Sequence, residues 1–288
     1  MKLNSEIVIG CMSWGKWGKE LSTDEQVDLL NFCIENGFTS FDHADIYGDY
    51  TTEGRFGEAL KKSGVDRSQI QLISKCGIQY VGQTRDNTIK HYNYSKNYII
   101  WSADQSLSNL KTDYLDLFLL HRPSPLMHPD EILEAISILK AQGKIKHFGV
   151  SNFTPSQVSL IHDKLPIEAN QIEFSLTQHS AMHNGSLDQM LQFGIKPMCW
   201  SPLGVYFRET DAQTLRIKKV LQGLTEKYQV SEDVLLLAWI LKHPAGIAPV
   251  VGTTNKERIK GIRKATEIQL ELEDWFGLLV ASQGHKVP

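Results

Sequence analysis

Four side chains able to hold or release a proton stand in a common position along the chain. They are the carboxylate of Asp42, the phenol of Tyr47, the amine of Lys75 and the imidazole of His121. Each lies at or just beyond the end of an apolar, strand-like run. A second polar set follows the later runs in the same way: Ser151 and Asn152, Gln171, Ser201 and Thr253. Singly, these are ordinary polar residues. Gathered at the ends of successive strands, they predict one shared site with acid–base groups in it.

The elements that must carry them alternate. Short β-rich runs occur at Ile7 to Gly10, Thr39 to Asp42, Ile70 to Ser74, Leu115 to Leu120, Ile145 to Val150, Glu168 to Ile172, Lys196 to Trp200 and Ile247 to Val251. The first helix is expected to open on a capping box of Thr23 with Gln26, to bury Val27, Leu30 and Ile34, and to stop at Gly37. Further helices are expected near 53–62, 95–110, 129–142, 155–163, 186–193, 213–228 and 255–265. The seventh unit carries a second helix, Glu232 to Lys242 with Ser231 as N-cap, and a last helix runs from Glu271 to Ala281.

Strict β/α alternation argues for parallel strands, which need helical crossovers. With eight units, the expected fold is an α/β single domain over 1–288, a (β/α)8 TIM barrel, whose active site lies at the carboxyl ends of its strands. An open doubly wound sheet would place G-x-G-x-x-G after the first strand; GCMSWGKWG lacks that spacing and is bulky at Trp14 and Trp17. The loop from Cys76 to Tyr94 is long, as functional loops often are.

Composition narrows the partners. A chain of this length can bury about 75% of its unfolded surface, so it needs no staples. Four cysteines without metal-ligand spacing read as reduced thiols of a cytoplasmic protein, and no metal is expected. A net charge of −3 gives no footing for nucleic acid, and Lys140, Lys144 and Lys146 read as a solvated helix end. No run is long enough for a membrane span.

The segments FTSFDHADIYG, ISKCGI, LDLFLLHRP, HFGVSNF, ANQIEFS, CWSPLG and VVGTTNKERI together resemble the aldo-keto reductase family, and within it the bacterial oxidoreductases having DHADIYG and HRPSPLM-type segments. The resemblance implies roles. Tyr47 matches the general acid, Lys75 the ammonium that lowers its pKa, Asp42 the carboxylate holding that ammonium, and His121 the group orienting the carbonyl. A free phenol, with a pKa of about 10, is too weak an acid near neutrality. An adjacent ammonium stabilises the phenolate, and a buried Lys without a partner tends to lose its proton. Alternation turns His43 outward, away from Asp42; His147 and His162 read as structural or solvated.

The same resemblance implies a dinucleotide, NADPH with NADH as the alternative. Ser151, Asn152 and Gln171 match the residues on the nicotinamide carboxamide. Ser201, Pro202, Leu203 and Gly204 match the pyrophosphate loop, and Gly252, Thr253, Thr254 and Arg258 match the grip on the adenosine phosphate; Asp42 also borders the cofactor. Many members have Lys at the position of Gly252 and Glu and Asn at those of Gly261 and Ile262, and Lys256 is a candidate for the missing charge. Trp14, Trp17 and Tyr80 are expected to wall a substrate pocket floored by Tyr47 and His121, with Arg122 and Tyr206 to Arg208 at its rim. The implied activity is reduction of a small carbonyl compound by a monomer or weak homo-oligomer. Two other readings compete: a regulatory barrel that binds cofactor with little turnover, and a Schiff-base lyase using Lys75, disfavoured because that chemistry needs a deprotonated amine.

Overall fold

Runs rich in Val, Ile, Leu and Phe form strands buried on both faces, as a parallel sheet covered by helices requires. In the computed structural model, which describes Met1–Pro288, the strands are β1 (Val8–Gly10), β2 (Ser40–Asp42), β3 (Gln71–Cys76), β4 (Ile78–Gln79), β5 (His91–Tyr92), β6 (Leu115–Leu120), β7 (Ile145–Ser151), β8 (Ala169–Glu173), β9 (Lys196–Trp200) and β10 (Ala248–Val251). Eight close into a parallel barrel in the order β1-β10-β9-β8-β7-β6-β3-β2, with β1 also paired to β2. The other two, β4 and β5, make an antiparallel hairpin inside the loop after β3.

The helices are α1 (Thr23–Glu35), the single turn α2 (Tyr47–Tyr50), α3 (Thr52–Ser63), α4 (Lys96–Leu110), α5 (Pro129–Ala141), α6 (Pro155–His162), α7 (Ser186–Phe193), α8 (Ala212–Tyr228), α9 (Glu232–Leu241), α10 (Lys256–Ile262) and α11 (Leu272–Gln283). The paired helices α8 and α9 of the seventh unit stand as expected. The cap of α1 is shifted by one residue: Ser22, not Thr23, accepts from the Glu25 N–H, and Glu25 answers on the Ser22 N–H. Gln26 instead turns inward and donates to the Leu21 carbonyl at 3.0 Å. Ser231 does occupy the N-cap of α9, but its hydroxyl donates to the Asp233 carboxylate and accepts from no helix N–H.

Period-two alternation decides what the barrel interior contains. Leu3, Val8, Ile73, Leu117, Leu119 and Met198 belong to one buried cluster, separate from the large core shared by strands and helices. Two residues further along the same strands come Gly10, Lys75, His121 and Trp200. The candidate site is therefore the next interior layer, at the carboxyl end. Gly149 belongs to this packing as well, since a side chain there would meet Ala169 O at 2.5 Å and Leu119 Cδ2 at 2.6 Å.

Candidate active site

The Lys75 ammonium, fully buried, donates to Asp42 Oδ2 at 2.7 Å, to the His43 carbonyl at 2.8 Å and to Tyr47 Oη at 3.1 Å. A buried ion pair survives only when its geometry is good and its remaining hydrogen bonds are filled. Here all three ammonium hydrogens have acceptors, and the second Asp42 oxygen accepts from Gln171 Nε2 at 2.9 Å. Tyr47 Oη accepts from Lys75 and donates to no protein group, so its proton is free for a ligand in the cavity it lines. The rings of Tyr47 and His121 stand edge to face, 6.0 Å apart.

Protonation follows from burial and charge. Burial pulls the Lys75 pKa down, but Asp42 and Tyr47 outweigh it and the net shift is upward, so the amine stays charged. That disfavours an amine nucleophile. Burial pushes the Tyr47 phenol up, and Lys75 only partly opposes it. The expected net lowering by the ammonium is thus not what this environment gives. Burial, then the charges of Lys75, Arg122 and Lys90, hold His121 well below its ordinary value, as a neutral imidazole.

Tyr47 is aimed by an unusual turn. Gly48, Asp49 and Tyr50 all have left-handed backbone, with φ of 61°, 59° and 63°. Only neighbours can hold non-glycine residues there. Asp49 accepts from the Gln83 N–H at 2.8 Å, Tyr50 accepts from the Tyr80 N–H at 2.8 Å, and the Arg85 guanidinium lies 3.5 Å over the Tyr50 ring. The long loop after β3 therefore clamps the segment that presents the phenol.

Around the tetrad is a cavity of about 500 Å³. Trp17, Ser151, Asn152, Gln171, Ser201 and Gly252 reach it as expected, and so does Arg122. Asn152, at φ 62°, donates to Ser151 Oγ at 2.8 Å and accepts from Trp200 Nε1 at 2.8 Å. Trp14 does not reach it. Its indole is wholly buried against Phe41 and Phe56, because the 3-10 turn Met12–Trp14 rotates it behind β2. Tyr80 supports the wall from behind, 5.1 Å from Trp17. Tyr206 is buried, and Phe207 and Arg208 line a second cavity and not the rim of this one.

That second cavity, about 830 Å³, shares the wall residues Ser201, Pro202 and Gly252 with the first. Leu203, Gly204, Thr253 and Arg258 line it. Thr254 is not among its walls. Lys256 turns away to pair with Asp28 over Phe32. Asn255 already caps α10 at the Arg258 N–H. The cations left at this end are Arg208 and Arg258, facing the carboxylates Asp233 and Glu257. Gly204 must be glycine: its φ is 54°, and a Cβ would stand 1.9 Å from Thr177 Oγ1.

Sequence reasoning overlooked Lys90 and Trp200, which both line the first cavity. Alternation from Met198 could have found Trp200. Nothing in the pattern marks Lys90. His43 does face outward, against Phe56 at 4.3 Å, but both ring nitrogens are buried without partners. His147 pairs with Glu168, and His162 stacks on Phe193. Lys140, Lys144 and Lys146 each hold a carboxylate: Glu168, Asp104 and Asp116. The four cysteines are free and buried, and no helix is long and apolar enough to cross a membrane.

Comparison with known proteins identifies the family and the fold. The family model described as "Aldo/keto reductase family" matches residues 6–277. The "Uncharacterized oxidoreductase YcsN" of Bacillus subtilis (strain 168) is 40% identical over 99% of this chain and 96% of its own. A "6-dehydroglucose reductase" of Agrobacterium fabrum is 37% identical over 90% of this chain and 88% of its own. Among solved structures, an aldo/keto reductase from Klebsiella pneumoniae in complex with NADP and acetate superimposes with a TM-score of 0.80 at 25% identity, covering 95% of this chain and 89% of that one.

Proposed function

The chain belongs to the aldo/keto reductase family of oxidoreductases, and from that premise we propose that it reduces aldehydes or ketones to alcohols with NADPH, Tyr47 being the acid. The observation that carries this reading is the Lys75 ammonium held at once by Asp42, the His43 carbonyl and Tyr47, with the phenol proton left unspent at an open cavity.

The residues fit the cofactor. Two adjacent cavities sharing Ser201, Pro202 and Gly252 set candidate contacts from Gln171 and Asn152, past the Ser201–Gly204 turn, to Arg208 and Arg258. Ser151, Asn152 and Gln171 would hold the carboxamide, the turn the pyrophosphate, and the two arginines a phosphate on the adenosine, bidentately where geometry permits. Asp233 and Glu257 reduce the charge advantage, so NADH is the competing cofactor. When bound, the nicotinamide supplies hydride.

The protein's own work is then proton delivery and orientation. Tyr47 gives its proton to the carbonyl oxygen. Lys75 stabilises the phenolate left behind, and Asp42 keeps Lys75 charged. His121, neutral, is free to hydrogen-bond the carbonyl oxygen and fix its direction. Trp17, Ile46 and Ile78 offer apolar walls that keep water from the reacting carbon.

The test is NADPH and NADH oxidation measured in parallel on a panel of aryl aldehydes, diketones and 6-dehydroglucose. Tyr47→Phe should lower turnover by about 100-fold or more. A rate within a few-fold of the parent would remove Tyr47 from the acid role. Tight NADPH binding with no carbonyl reduced would favour the regulatory reading.

A further inference from the structure

We propose that Lys90 and Arg122 form an anion subsite in the catalytic cavity, and that the preferred substrates are aldehydes or ketones carrying a carboxylate or phosphate. The chemistry rests on the reductase reading above; the anion binding does not.

Charge accounting within the cavity points this way. The whole chain carries −3, yet the catalytic cavity is lined by two cations and a single carboxylate, Asp42. Both oxygens of Asp42 are already taken, by Lys75 and Gln171. Neither Lys90 nor Arg122 has a carboxylate within 4.0 Å, so the protein itself neutralises neither charge in the cavity they share. The two charges are felt at the reacting centre: after burial and Lys75, they contribute to keeping His121 neutral. A cleft lined by one sign of charge raises the local concentration of ligands of the other.

Both positions are built. Arg122 donates its N–H to the Tyr94 hydroxyl at 3.1 Å, and that hydroxyl donates back to the Arg122 carbonyl at 2.5 Å. Its guanidinium lies 5.3 Å from the Trp200 ring centre, near an aromatic face that can steer it. Lys90 immediately precedes β5, whose partner β4 is fixed by the Tyr50 hydroxyl donating to the Ile78 carbonyl. The two side chains come from the loops after β3 and β6. They line the first cavity and not the second, so they are separate from the arginines at the far end of the groove. Met12, Trp17, Ile46 and Ile78 leave apolar room for the carbon skeleton between anion and carbonyl.

The test uses matched pairs on the NADPH-loaded enzyme: 4-carboxybenzaldehyde against its methyl ester, and 4-formylphenyl phosphate against 4-methoxybenzaldehyde. The ratio of kcat/KM, anionic over neutral, is measured for the parent, Lys90→Ala, Arg122→Ala and the double variant. A charge-assisted hydrogen bond lost from the site should cut the ratio by about tenfold in each single variant, and more in the double. The KM for the anionic member should also rise with salt in the parent alone. The carboxylate and phosphate arms separate the two ligand sources. A ratio unchanged by both substitutions overturns the proposal, as does a rise confined to the KM for NADPH, which would make the cations part of the cofactor grip. Quenching of protein tryptophan fluorescence by terephthalate is read alongside. Loss of that quenching in the variants, with no carbonyl reduced by any form, would sink the reductase reading and leave the subsite standing; quenching that persists in the double variant sinks the subsite.

Discussion

Gln171 and Asp42 meet across the barrel. The amide of Gln171, on β8, donates to Asp42 Oδ1 at 2.9 Å, although β8 and β2 are separated by three strands on one side and three on the other. The carboxylate that holds the lysine thus also holds a residue proposed to touch the nicotinamide. Removing the amide strands a buried carboxylate oxygen. Gln171→Ala should cost about 1–3 kcal/mol in urea unfolding. Combined with Asp42→Asn, the loss should be well short of additive. Strict additivity would mean the contact carries no energy.

Lys75→Met removes the partner of a carboxylate that is 2% exposed. An uncompensated buried charge is severe, about 3–5 kcal/mol. Lys75→Met with Asp42→Asn should recover much of the melting temperature without recovering carbonyl reduction. Equal melting temperatures for the single and double variants would contradict the ion-pair account.

Burial holds the Tyr47 phenol above its ordinary value of 10.0. In the proposed reduction the protonated phenol is the acid, and so the form that would be active. The kcat/KM profile should therefore stay level through neutrality and fall only above the free-phenol range. A fall near pH 8 would show that the ammonium overrides burial in the working enzyme.

His43 is held neutral, its pKa lowered to about 3 from 6.5 by burial and by Lys75. Its folded value lies below the unfolded one, so the unfolded chain binds the extra proton. Its stabilisation is present above pH 6.5 and is lost as pH falls toward 3. His43→Leu should flatten the acid side of the stability curve by about 1.4 kcal/mol per pH unit between roughly pH 4 and 6. An unchanged slope would shift the acid sensitivity to His121, His179 and His243, whose values burial also lowers.

Gly204→Ala forces a Cβ to 1.9 Å from Thr177 Oγ1 at a φ of 54°. The turn must move, and with it the wall that the two cavities share. NADPH affinity should weaken by about tenfold, the equivalent of 1.4 kcal/mol, while the melting temperature falls only modestly. Unaltered NADPH affinity would detach this turn from the cofactor path.

The amino-acid sequence by itself determined the barrel and most of its site. Eight β/α periods fix the architecture, and a two-residue alternation fixes which side chains enter the interior. Lys75 is inward because Ile73 is, and Gln171 because Ala169 is. Such periods are local, so they are readable without the fold. Outside the strands the period is lost, and long-range contacts decide direction. Trp14 and Trp17 read alike in GCMSWGKWG, yet a 3-10 turn sends one into the core with Phe56 and the other into the cavity. Lys256 is taken by Asp28, distant in sequence, and Arg208 is brought in where it was not sought. Lys90 gains its place from a hairpin pinned by Tyr50, and Tyr47 its aim from three left-handed residues that only the loop above them can hold. Residue types at or just beyond strand ends, with the family resemblance they carry, made the tetrad legible. The balance of burial against charge at Tyr47, and the cations that line the cavity beside it, come from neighbours that only tertiary packing assembles.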